Sequence, residues 1–229
     1  MKAIKLIFVA ALTVFLAACG STPQPTVQLQ KQLLNAEKRV GIYVDVINEP
    51  TTNIYGAGCL LCYGVAVAAN SSLSKHLESL PTSDIESSKQ ILLEGYKAKT
   101  GSVEFIELTE QEFKKLKKFK GELGYAKKDF RSLKESKNID VLVVLDIATH
   151  GAYRGYTNYI PNTDPQGYVR GLVYSVDLET NQYLQYLELD KKIVVDGEWD
   201  EPKQQFPGVT NAYYQAVEQV KETINKIFL

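Results

Sequence analysis

Nine consecutive residues, Ile139-Asp140-Val141-Leu142-Val143-Val144-Leu145-Asp146-Ile147, constrain the fold more than any other stretch of the chain. Apolar side chains fill neighbouring positions, so an extended backbone here is apolar on both faces. A strand of that kind is stable only when both faces are covered. Bounded by Asn138 and Thr149, the run reads as a central buried strand and the core of its domain.

The flanking chain supplies the rest of an α/β fold with a mixed sheet. Val40, Ile42, Val44 and Val46 alternate with Gly41, Tyr43 and Asp45, the period of a strand with one buried face. Residues 47–58, with Asn48, Pro50, Gly56 and Gly58, read as a loop. Ser83-Asp84-Ile85-Glu86 has the form of a capping box, opening a helix to about Lys99 with Ile85, Leu92 and Tyr96 on one face. A second strand follows at Val103–Leu108, which completes an α/β unit. Between Glu110 and Arg131, Phe113, Leu116 and Leu123 among many lysines suggest one or two amphipathic helices. Tyr168–Asp177 and Gln182–Asp190 form a β-hairpin, with Asn181 in the turn because asparagine tolerates left-handed backbone. Val209–Leu229 carries Tyr213, Ala216, Val217, Val220 and Ile224 on one face, an amphipathic C-terminal helix packed on the sheet.

The first residues set location. Lys2 and Lys5 precede an apolar run from Leu6 to Ala18, the anatomy of a signal peptide and too short for a spanning helix, which needs roughly 20 residues. Leu16-Ala17-Ala18-Cys19 resembles the lipobox of bacterial lipoproteins. The resemblance implies removal of residues 1–18 and a covalent diacylglycerol and N-acyl chain on Cys19; no other cofactor and no metal is expected from the residues. Several acyl chains together hold a protein firmly to a bilayer. Gly20 after the cysteine implies, by the same resemblance, the inner leaflet of the outer membrane of a Gram-negative cell, with the domain on the periplasmic face. Residues 19–38 then read as a lipidated tether whose later part, Val27–Glu37, forms a short helix, and residues 39–229 as a single periplasmic α/β domain.

Cleavage leaves 211 residues and moves the formal charge from −1 to −3, against a nucleic-acid partner. With Cys19 acylated, Cys59 and Cys62 are an even pair in an oxidising compartment, most simply a disulfide, with a redox or metal pair and free thiols as alternatives. They open Cys59–Ala69, an uncharged, small-residue-rich passage. Its ordinary reading is a core helix; the alternative is an exposed docking patch. Gly151–Gly167 reads as a loop whose Tyr153, Arg154, Tyr156 and Tyr159 form a surface for partner recognition, tyrosine and arginine combining contact area with polar reach.

Three passages, Arg39–Val46, Ile139–Val144 and Val176–Leu184, together resemble periplasmic lipoproteins with a TolB-amino-terminal-like domain. That group includes the curli-secretion lipoprotein and activators of penicillin-binding proteins. Relatives often carry Asp-X-X-Thr-Gly at the hairpin turn; here Asp177 and Thr180 are kept and Asn181 replaces glycine. No hydrolase elbow or His-Glu-X-X-His motif occurs, and the histidines are His76 and His150. The expectation is therefore a non-enzymatic envelope lipoprotein that binds a protein or glycan as an assembly or accessory factor. The alternatives are a periplasmic thiol-disulfide protein using Cys59 and Cys62, and an oligomeric secretion component packed through residues 59–69.

Overall fold

A computed structural model describes residues 23–46 and 49–229. The signal peptide expected over 1–18 and the lipidation site Cys19 lie outside the described residues. In chain order the elements are β1 (Arg39–Val46), β2 (Thr51–Tyr55), α1 (Leu60–Ala69), α2 (Ser71–Glu78), α3 (Ser83–Glu86), α4 (Ser88–Lys97), β3 (Ser102–Phe105), α5 (Glu110–Lys115), α6 (Leu133–Ser136), β4 (Val141–Thr157), β5 (Ile160–Pro161), β6 (Gln166–Asp177), β7 (Tyr183–Val194) and α7 (Pro207–Asn225).

The expected mixed α/β architecture is present. Among the described residues the strands form one sheet in the order β3-β1-β4-β6-β7. β1 runs parallel to β3 and β4, while β6 is antiparallel to β4 and β7. The central strand is β4, as the apolar run requires. Val141, Val143, Leu145 and Ile147 face a core closed by α4 and α7, with Leu92, Tyr96, Val217 and Val220. Leu142 and Val144 face a second core, covered by residues 106–133 through Leu108, Phe130 and Leu133. Alternation along β4 thus feeds two cores from one strand.

Six sequence readings need correction. The expected 151–167 loop is mostly strand: β4 runs on to Thr157, and β6 begins at Gln166. Its extra length is paired on both sides, by β6 and by β2, a parallel strand inside the expected 47–58 loop. Gly151 permits the close approach, since at φ +117° a Cβ would stand 2.3 Å from the Thr51 carbonyl oxygen.

The free tether expected over 19–38 is docked from Gln24 onward. Val27 and Tyr186 exchange backbone hydrogen bonds of 2.8 and 2.9 Å, the Gln30 N–H donates to the Leu184 carbonyl, and Leu29 and Leu34 enter the core. This adds an edge piece beside β7; the helix expected at Val27–Glu37 is a single 3-10 turn at Lys31–Leu33.

The capping box is not at Ser83, where no side-chain cap forms, but at Thr109–Glu112 at the start of α5. The 110–131 region holds only that short helix. The rest is irregular and pinned by Asn181, whose side-chain Oδ1 accepts from Phe130 N–H at 2.9 Å and whose side-chain amide donates to the Ala126 and Lys128 carbonyls. Asn181 has the expected left-handed backbone, φ 66°. Its side chain explains why asparagine, and not glycine, suits this turn: the backbone N–H closes the turn on the Asp177 carbonyl, and the side chain anchors the segment covering the second core.

Candidate interaction surface

Helix α1 is built entirely from Leu, Cys, Tyr, Gly, Val and Ala, with no charged side chain and the Tyr63 hydroxyl as its one strongly polar side-chain group. Its first turn is organised by Cys59 at the N-cap, where Sγ accepts the Cys62 N–H at 2.9 Å, and by the expected Cys59–Cys62 disulfide. Inward-facing positions recur every fourth residue, Cys62, Ala66 and Asn70, which makes a narrow contact with the sheet. The rest of the helix faces outward. Leu60 is 90% exposed and Leu61 68%, with Tyr63, Val65 and Val67 exposed beyond them. The exposed-patch reading of residues 59–69 therefore replaces the core reading. Contiguous apolar surface of this kind marks interaction sites.

The patch continues across the β4–β5 turn. Asn158 takes left-handed backbone, φ 55°, and donates its N–H to the Gly56 carbonyl. Beyond it, Tyr159 and Ile160 are exposed, and the Tyr159 hydroxyl lies 3.8 Å from Cys59 Sγ.

A polar bolt holds α1 in place. Buried Arg154 donates to Asn70 Oδ1 at 2.6 Å and lies 4.3 Å over the Trp199 ring. Asn70 donates to the Ala66 carbonyl and to the Tyr156 hydroxyl, each at 2.7 Å. The Asn70 side chain thus satisfies the last turn of α1 and ties it to β4.

The four residues expected to recognise a partner do not converge. Arg154 and Tyr156 are buried in this bolt and act on the surface only by positioning α1. Tyr159 belongs to the apolar patch. Tyr153 lies on the opposite face of β4, stacked on Tyr55 at 4.8 Å between ring centres and edge-on to Tyr168. Lys192 Nζ stands 4.3 Å over the Tyr153 ring, a cation–π contact. Burial, then the Tyr55 hydroxyl at 3.4 Å, raise the Tyr168 hydroxyl above the ordinary tyrosine range. Further along this face Asp146 sits beside Asp45, and burial followed by that neighbouring charge pushes its carboxyl up. Opposite, His150 is buried against α7 with Nδ1 2.9 Å from the Tyr213 hydroxyl. Among the described residues, no three His, Cys, Asp or Glu side chains converge as a metal site, and no helix is long and apolar enough to cross a membrane.

Sequence reasoning missed Asn70, Trp199 and Ile160. Only Ile160 left a signal, as an Ile-Pro pair set between Asn158 and Asn162.

Fold and surface together define a mixed α/β domain that displays an uncharged helix. No family model and no curated protein matches the sequence. Among solved structures, the chain is similar to dodecameric PelC from Paraburkholderia phytofirmans, at 8% identity over 90% of this chain and 94% of that one, with a TM-score of 0.36. It is also similar to a neuraminyllactose-binding hemagglutinin homolog from Helicobacter pylori, at 11% identity over 90% and 91%, TM-score 0.32. A third similar structure is lipoprotein GNA1162 from Neisseria meningitidis, at 10% identity over 80% and 99%, TM-score 0.25.

Proposed function

We propose that this chain is a lipid-anchored protein of the outer membrane's periplasmic face that binds an envelope protein through α1, as an assembly or accessory factor. The carrying observation is the outward face of α1, where Leu60 and Leu61 stand in solvent with no charge between Pro50 and Ser74. Leaving such a face in water forgoes burial of roughly 25 cal/mol per Å².

Geometry supports a partner away from the anchoring bilayer. Gln24 is held at Gly124, beside the turn that pairs with the Val141 end of β4. Helix α1 sits at the Thr157 end. Seventeen residues of strand separate the two ends by about 50 Å. From Cys19 to Gln24 the chain reaches at most about 17 Å. A domain standing on that short tether carries α1 outward.

A glycan partner is the second reading, favoured by the Tyr55–Tyr153–Tyr168 cluster with Lys192 over it. The test is capture from envelope membranes with the acylated chain, its Leu60→Ser/Leu61→Ser/Val65→Ser variant and a Tyr153→Ala variant. Loss of a captured protein with the triple variant alone supports docking through α1. Loss of captured glycan with Tyr153→Ala alone supports the second reading, and capture unchanged by both contradicts each. A second copy of this chain as the captured species would make the surface a self-association face. Labelled palmitate incorporation, abolished by Cys19→Ser, tests the anchor.

A further inference from the structure

Cys59 and Cys62 differ in their surroundings although they share one helical turn. Cys59 is exposed at the N-cap of α1, and Cys62 is 2% exposed beneath it. The Cys62 N–H already points at Cys59 Sγ, 2.9 Å away, and no acidic residue lies in the first turn. A thiolate at such a position is stabilised by the helix N-terminus and that donor. The disulfide closes a loop across a separation of three residues, so it restrains the unfolded chain little. A bond that is half exposed and ties no distant segments is poorly suited to a purely structural role. Around Cys59 stand Leu60, Leu61, Tyr159 and Ile160, an apolar surface suited to an unfolded polypeptide.

We propose that Cys59–Cys62 is a thiol–disulfide exchange site whose substrate is a dithiol polypeptide with apolar residues beside its cysteines. In the first step a substrate thiolate attacks exposed Cys59 Sγ. The Cys59–Cys62 bond breaks, its electron pair leaves on the Cys62 sulfur, and that sulfur takes up the proton the substrate thiol had released. In the second step the other substrate thiolate attacks the substrate sulfur of the mixed disulfide. Cys59 departs as a thiolate, held by the Cys62 N–H, and is protonated from solvent. The substrate loses two electrons and two protons and becomes a disulfide, while the protein pair gains them. A low-molecular-weight disulfide restores the pair by the reverse exchange and is itself reduced to two thiols. The selectivity for apolar flanks rests on the docking role of α1; the sulfur chemistry does not.

The test uses the acylated full chain in detergent. Oxidised protein is mixed with a synthetic Leu-rich peptide carrying two cysteines, with dithiothreitol in parallel, and the mixed disulfide is quenched and located by mass spectrometry. The expected result is peptide attached at Cys59, not Cys62, with peptide disulfide accumulating. In a second measurement, iodoacetamide at pH 7 alkylates Cys59 of the Cys62→Ser chain at least about tenfold faster than Cys62 of the Cys59→Ser chain. Leu60→Ser/Leu61→Ser slows exchange with the peptide more than exchange with dithiothreitol, and an equal effect on the two overturns the apolar polypeptide as substrate. Attack at Cys62, or a disulfide that survives both dithiols, overturns the proposal without any variant having to fold.

Discussion

Helices α1 and α7 are both rich in apolar residues, yet the fold treats them oppositely. Over 19 residues α7 buries Val209, Tyr213, Val217, Val220 and Ile224, while Glu218, Lys221 and Glu222 interrupt that stripe on its other side. Over 10 residues α1 buries only Cys62 and Ala66. The difference lies in pattern. A stripe at helical period, opposed by charge, offers one face to a core and one to water. A helix apolar all round has no face made for water, so a narrow contact leaves most of it as exposed apolar surface. Apolar content alone therefore says little about burial; periodicity says more.

The largest test of this contrast is on the buried side. Ile224→Ala in α7 should cost about 2–5 kcal/mol in urea unfolding, because a fully buried side chain leaves a cavity. A loss below 1 kcal/mol would mean that α7 does not close the core as described. Next, Arg154→Ala should cost about 1–3 kcal/mol by leaving Asn70 Oδ1 without its buried donor. Hydrogen exchange should then rise selectively in α1, and uniform exchange would dissociate the bolt from that helix.

A smaller effect is expected at Asp146, whose carboxyl is raised by burial and by Asp45. A raised acid favours its protonated form in the fold, so at neutral pH the charge works against stability and the penalty fades as pH falls through that raised pKa. Asp146→Asn should raise the urea midpoint at pH 7, with the gain shrinking in acid; a lowered midpoint would refute it. The smallest effect belongs to α1 itself. Leu60→Ser/Leu61→Ser should leave unfolding within about 0.5 kcal/mol of the parent chain, while a loss like that of Ile224→Ala would put those leucines in a core.

The sequence made some of this legible for physical reasons. Ile139–Ile147 could only be a strand covered on both faces, and the alternating strands around the Asn181 turn could only be a hairpin. The stripe of α7 announced its own burial. What stayed hidden depended on partners far along the chain. Residues 51–55 and 151–155 became strands because each pairs with the other, and their glycines and turn-forming residues masked this. Residues 24–34 joined the core because the edge of β7 was open to them. Arg154 and Tyr156 share the composition of a recognition loop but point inward, and only the backbone path of β4 determines that.

The most direct test of the account asks whether α1 is covered where the protein works. With Cys59 and Cys62 oxidised, a Val65→Cys chain and a Glu222→Cys control on the exposed side of α7 are treated with a membrane-impermeant maleimide, once purified and once in native envelopes made permeable to the reagent. Both should label readily when purified. In envelopes the expected result is that position 65 is protected and position 222 is not. Equal labelling of position 65 in both settings would contradict α1 as a docking surface.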